Sequence, residues 1–500
     1  MGLRLRSANG FLNGIRYKQK PLMSLKKNFL HNILYILGNI LFPIISFSYT
    51  ARVLGPEGIG KVQFVITFAQ YFMMVAALGI PVYGIREVAK AKEDQTRLNK
   101  LVSELLFINI LTSLVLLLFY VVIISAVGWF HQDITFYLLG GLLVLFGFST
   151  LDWFFVGLEQ FSFLSIRSVI IKVVALIGLF VFVKSPHDLI IYLLITVFSI
   201  IGTNIWNLLN LNGQIVLRFK QLDFKKHLPI LFILFSTSIA ISIYTLIDTL
   251  LLRFLADNRA VGFYTAAIKI TKLGIPLVAA LGTVLLPRIS QSIASFDTAL
   301  TQSLTDKSFS FICLFGIPIS FGLFIYAREI MMVFSGKEFM DAILTMQIAA
   351  PLVFLIGLGS IFGMQLLIPS GNERGYLVAT VFGLVVSLIL NITLIVPFRD
   401  KGTAVATVVS ELVVSFVSFY YVKRKMGLRF DWGLGIKALG ASLIFVPVAF
   451  LARGLVGNEF VRLGVEVGSC ASLYFLIQIY VFKEVLVRGV WMQVMNKLKD

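Results

Sequence analysis

Apolar runs of about twenty residues follow one another along almost the whole chain, separated by short stretches of Gly, Pro or charge. Runs of this length match the thickness of a bilayer's hydrocarbon core. Fourteen can be placed, at 29–51, 62–83, 101–126, 134–157, 164–183, 189–211, 230–252, 261–286, 308–327, 342–368, 376–397, 402–422, 437–453 and 463–482. Alternating ten-residue segments, the mark of a membrane β-barrel, do not occur. The pattern predicts an all-α polytopic membrane protein of about 14 transmembrane helices.

The pattern also repeats. "ARVLGPEGIG" after the first span resembles "LRFLADNRAVG" after the seventh. Pairing Arg52 with Arg253, Gly60 with Gly262, Gly79 with Gly282 and Arg86 with Arg288 gives offsets of 201, 202, 203 and 202. "GLEQ" at Gly157 and "GNER" at Gly371 align at an offset of 214. Six spans per half insert both halves in the same orientation, which is a parallel repeat. The expected organisation is a basic segment 1–28, an N-lobe 29–211, a linker 212–229 and a C-lobe 230–422. Two further spans with a basic linker (423–482) and a tail (483–500) complete it. Two pseudo-equivalent bundles suggest a transporter with its site at the seam.

Composition narrows the class. The chain of 500 residues is 58% hydrophobic and 14% charged, with mean hydropathy +0.93, whereas soluble domains carry about 25% charged residues. A formal charge of +18 raises the question of nucleic acid, but the basic residues sit in connectors between spans, where topology signals belong. No nucleic-acid partner is expected. Of 43 Lys and Arg, 29 fall on the side of the N-terminus and 11 on the other. Both termini are therefore expected in the cytoplasm of a multi-pass cell-membrane protein. The first run is too long for a signal-peptide core and lacks a cleavage pattern. Met23 opens "MSLKKNFL", so residues 1–22 read as a start-site extension or a basic tail. No connector exceeds about twenty residues, which leaves no room for an extramembrane catalytic domain.

The three remaining cations, Lys172, Lys269 and Lys272, lie inside spans. If the eighth span starts near Val261, Lys269 and Lys272 sit about 12 and 16 Å deep, near the middle of a core about 30 Å thick. Each costs roughly 2.5–3.5 kcal/mol there unless something receives it. Gly262, Thr265, Lys269, Lys272 and Pro276 recur at steps of 3, 4, 3 and 4, which is one helical stripe. The stripe faces either a water-filled cavity that binds an anion or a protein partner, with Asp248 on the seventh span within reach of Lys269. At the repeat offset the lysines fall on Thr67 and Gln70, so the cationic character belongs to one half. Glu411, also near mid-depth, is a candidate for ion coupling or for a hydrogen bond to a neighbouring helix. Arg52 and Arg253, at matching span ends, either attract an anion at the mouth or anchor the chain at the interface. The four histidines have no ligand spacing and Cys313 and Cys470 lie in apolar runs, so no metal is indicated.

"NFLHNILYILGNILFPIISFSYTARVLGPEGIGKVQF", "LDWFFVGLEQF" and "AVGFYTAAIKI" resemble the polysaccharide flippase family. These are O-antigen (Wzx-type) exporters of the multidrug/oligosaccharidyl-lipid/polysaccharide exporter superfamily, and the resemblance spans about Met23 to Lys425. It implies two six-helix lobes around a central cavity, plus two C-terminal helices. It also implies an undecaprenyl-diphosphate-linked oligosaccharide turned from the cytoplasmic to the periplasmic leaflet of the inner membrane. A proton or sodium gradient, or the membrane potential, is the expected drive, with no cofactor; polysaccharide polymerase machinery is a candidate partner. The alternatives are a cation-coupled multidrug exporter of the same fold and an inner-membrane polymerase or ligase. The exporter would favour mid-span acids, and the enzyme needs a large outer loop, which the chain lacks.

Overall fold

The computed structural model describes residues 25–492 apart from 212, 219–221, 456, 485–486 and 490, with side chains from residue 42 onward except 236–245 and 454–455. Helix α1 (Leu25–Ala77) is followed by α2 (Ile80–Ala91), α3 (Gln95–Ala126), α4 (Ile134–Leu145), α5 (Asp152–Gly157), α6 (Phe161–Phe182) and α7 (Leu189–Leu211). Then come α8 (Leu228–Leu255), α9 (Asn258–Lys272), α10 (Ile275–Ala294) and α11 (Thr298–Ile325). The chain continues through α12 (Ala327–Phe334), α13 (Ile343–Ala349), α14 (Leu352–Gly359) and α15 (Glu373–Met426). It ends in α16 (Trp432–Ser442), α17 (Phe445–Leu455) and α18 (Glu459–Tyr480).

This is a multi-pass membrane protein. Among the described residues, eleven helical segments are long and apolar enough to cross a membrane, against the fourteen spans the sequence predicts. Two of the eleven, in α1 and α15, run on across a single non-helical residue. In α1 it is Gly55, with φ 66°, ψ 177°; glycine enters this region without steric cost. In α15 it is Arg399, with φ 55°, ψ −129°. Both residues fall in gaps the apolar pattern leaves, between 51 and 62 and between 397 and 402.

The apolar core is divided. Two clusters draw their fully buried residues from 62–231 and two from 252–428. A further one is shared: Phe47, Ala51, Leu54 and Ile59 of α1 meet Phe263, Ala266, Ala267 and Ile270 of α9 there. Helices α1 and α9 form the most extensively packed pair among the described residues. The connection leading into α8 is fastened along α3. Asn99 accepts from the Val216 amide at 3.2 Å, Ser103 from Arg218 at 2.9 Å and Glu104 from Asp223 at 2.7 Å. The buried Glu104 also pairs with Lys226 at 2.8 Å and His227 at 2.9 Å. These part-buried backbone amides find acceptors on one face of α3.

Candidate functional site

The seam is where the polar residues of the spans converge. After α8, Asp257 caps α9 by accepting from the Ala260 amide at 2.9 Å, as short acidic side chains do at helix starts. α9 runs only to Lys272, because Pro276 in the first turn of α10 has no amide to continue the hydrogen-bond ladder. The eighth span is thus broken near its middle. Lys269 and Lys272 occupy the last turn of the shorter piece, where the unpaired carbonyls of a helix end favour cations. Almost every residue of α9 is buried, yet these two lysines are exposed.

They are exposed to a cavity of about 390 Å³. α1 contributes Gln63 and Thr67; α8 contributes Asp248 and Thr249; α9 and α10 contribute Tyr264, Thr265, Lys269, Lys272 and Pro276. At the repeat offset of 202, Gln63 and Thr67 are the counterparts of Thr265 and Lys269, so the two polar stripes face each other across the seam. Lys269 also borders a second cavity of about 200 Å³ that takes Ser46 and Phe47 from α1, Ala175 and Leu179 from α6, and Tyr192, Thr196 and Ser199 from α7. Its ammonium lies 5.3 Å from the Phe47 ring centroid, a distance at which the ring face attracts a cation. The half-buried Lys172 is on α6 at helical spacing from Ala175 and Leu179, without bordering either cavity. A separate cavity of about 700 Å³ beside Gln302, Asp306 and Arg429 holds none of the candidate residues.

Among the described residues, no ion pair joins Asp248 to either lysine; its partners are neutral side chains. Its carboxylate is 6% exposed and accepts from four side chains. Tyr264 and Thr407 donate to Oδ2 at 2.7 and 2.8 Å; Asn391 and Ser387 donate to Oδ1 at 2.8 and 3.3 Å. Beside it, the buried Oδ1 of Asn391 has no hydrogen-bond partner among the described residues. Glu411 is half-buried on α15, one turn beyond Thr407.

Arg52 and Arg253 stand away from the cavity. Arg52 donates to the Met332 and Val333 carbonyls at the end of α12 and lies 5.4 Å from the Phe460 ring. Arg253 lies 4.5 Å from the Trp129 ring and 5.9 Å from that of Phe64. Each arginine therefore reaches from its own half of the chain into the other half. Gln63, Thr249, Tyr264, Ser387, Asn391 and Thr407 are site residues that the sequence reading does not single out. A neutral polar residue inside an apolar run is the signal that could have found them.

Residues 25–293 match the sequence model of the family described as polysaccharide biosynthesis protein. The chain belongs to that family. Among curated relatives it is 23% identical over 412 residues to an O-antigen transporter of Escherichia coli K12, covering 80% of this chain and 97% of that one. It is 28% identical over 222 residues to a low-salt glycan biosynthesis flippase of Haloferax volcanii, covering 44% and 47%. Among solved structures, the lipid II flippase MurJ in an inward closed conformation superposes with a TM-score of 0.75 at 16% identity, covering 92% of this chain and all of that one. An inward-facing multidrug transporter of the MATE family superposes at 0.59 and 13% identity, covering 80% and 98%. The fold of this family member is that of these transporters.

Proposed function

We propose that this protein is a flippase. It carries a lipid-linked oligosaccharide across the membrane by alternating access, with the Lys269–Lys272 cavity receiving the charged headgroup. The names of the relatives support the substrate class, and transport rather than bond-making chemistry is their common activity. The observation that carries the site is the pair of exposed lysines at the end of a broken helix, facing a cavity between the halves. Compact, flexible ammonium groups suit a diphosphate that must be bound and then let go. The sugars would occupy the polar space while the polyprenyl tail stays in lipid. The basic bias of the connectors supports an N-terminus in the cytoplasm, and the proposed direction of transport is from the cytoplasmic to the periplasmic leaflet of the inner membrane.

Asp248 is the proposed coupling site. Carboxylate, hydroxyl and amide oxygens surround one buried position, and the unpartnered Asn391 Oδ1 adds an oxygen that a proton or a sodium ion would satisfy. Hard oxygen donors suit such a cation.

Replacing Lys269 and Lys272 together by Ala tests the reading. Surface polysaccharide should disappear while the protein remains in the membrane, and purified protein should bind a polyprenyl diphosphate in preference to an organic cation. Normal polysaccharide in the double variant, or the opposite binding preference, would reject it.

A further inference from the structure

The two halves touch most intimately through one repeated element. Helix positions 56–60 and 258–262 cross so closely that a Cβ at Gly60 would stand 1.7 Å from the Asn258 carbonyl oxygen, and one at Gly262 1.9 Å from that of Pro56. Residue 258 is residue 56 plus the repeat offset of 202. The contact is therefore reciprocal, each glycine meeting the counterpart of its partner's neighbour, as at a two-fold axis. Asn258 also donates to Glu57 at 3.2 Å. The arginines of the same element also cross between the halves: Arg52 donates to carbonyls of the second, and Arg253 lies over rings of the first.

We infer that this element, Arg52–Gly60 with its counterpart Arg253–Gly262, is a two-fold clasp that shuts one end of the seam cavity and must part for substrate to leave there. Gly60 and Gly262 act as its positioning residues. Only glycine lets the carbonyls approach so near, and backbones this close gain weak Cα–H···O contacts that depend on the missing side chain. In an isolated helix a change to Ala would raise helix propensity; here it wedges the clasp. The inference rests on the transport reading above, which places this end at the periplasmic face.

The test uses full-length protein in which Cys313 and Cys470 are Ser and Thr249→Cys reports on the cavity. A membrane-impermeant maleimide applied to intact cells should label the reporter severalfold faster in Gly60→Ala and Gly262→Ala than in the parent. Unchanged labelling in both variants would overturn the inference. Should either variant be absent from the membrane, Glu57→Cys with Asn258→Cys decides. In a chain that keeps Thr249, bridging that pair with a cleavable bifunctional thiol reagent should stop polysaccharide export, and cleavage should restore it. Continued export by bridged protein would sink the clasp. Labelling needs no substrate, so a clasp that opens and closes in a chain that moves no lipid-linked sugar would reject the flippase reading alone.

Discussion

An ammonium group inside an apolar run has to be received by something, and Lys269 shows how. Its charge sits at the carbonyl end of a short helix, over the Phe47 ring, at the edge of two cavities. A hydrogen bond to a charged group contributes about 1.5–3 kcal/mol, so Lys269→Gln or Lys272→Gln alone should weaken binding of a polyprenyl diphosphate roughly ten- to a hundredfold. Titration of the purified variants with the lipid checks this; an unchanged dissociation constant counts against contact. Asp248→Asn keeps the shape and removes the charge. It should leave headgroup binding within a few-fold of the parent and abolish the response of export to an imposed ion gradient, measured in vesicles. These two lysines were legible because charge inside an apolar run is conspicuous. The Asp248 ring was legible only at its centre, since Ser387, Asn391 and Thr407 are neutral and come from sequence positions about 140–160 residues away. Arg52 and Arg253 were found as a matched pair, but sequence spacing carries no information on which half each one reaches.

At the level of helices, interruptions matter more than lengths. The apolar pattern marked the gaps that hold Gly55 and Arg399, yet it read 261–286 as one span. A two-residue break before Pro276 leaves hydropathy intact while ending the hydrogen-bond ladder. That break turns mid-span lysines into helix-end lysines. The start of the same helix depends on Asp257. Burial opposes ionisation of this carboxyl, but the Ala260 amide and the Arg399 guanidinium outweigh it and hold its pKa below the ordinary aspartate range. Asp257→Ala should cost about 1 kcal/mol, the usual loss for an N-cap, seen as a lower unfolding temperature in detergent. A carboxyl depressed in the folded state stabilises above its unfolded value, and the benefit is lost as pH falls through the folded value. The difference between parent and variant should therefore persist at neutral pH and shrink only in acid. A difference that shrinks as pH rises would contradict the cap.

On the scale of the whole chain, the repeat offset of 202 links a sequence regularity to a cavity with two unequal walls. Gln63 and Thr67 face Thr265 and Lys269, so the second half holds the charge and the first half a neutral copy of the same stripe. If the cavity is shared, the position of the ammonium matters less than its presence. Lys269→Thr alone should lower polysaccharide export, on the order of tenfold for one lost charged contact. Adding Thr67→Lys, which moves the ammonium to the counterpart position, should return a measurable part of that export. Thr67 is 1% exposed, so the new side chain has to extend into the cavity; an ammonium left in apolar surroundings would cost too much to tolerate. Recovery in the double variant means that both stripes address one bound headgroup. Stable protein without recovery would mean that the phosphate is read from the second half alone. Loss of the double variant from the membrane would mean that Thr67 does not reach the water, and either result would end the idea of a cavity with interchangeable walls.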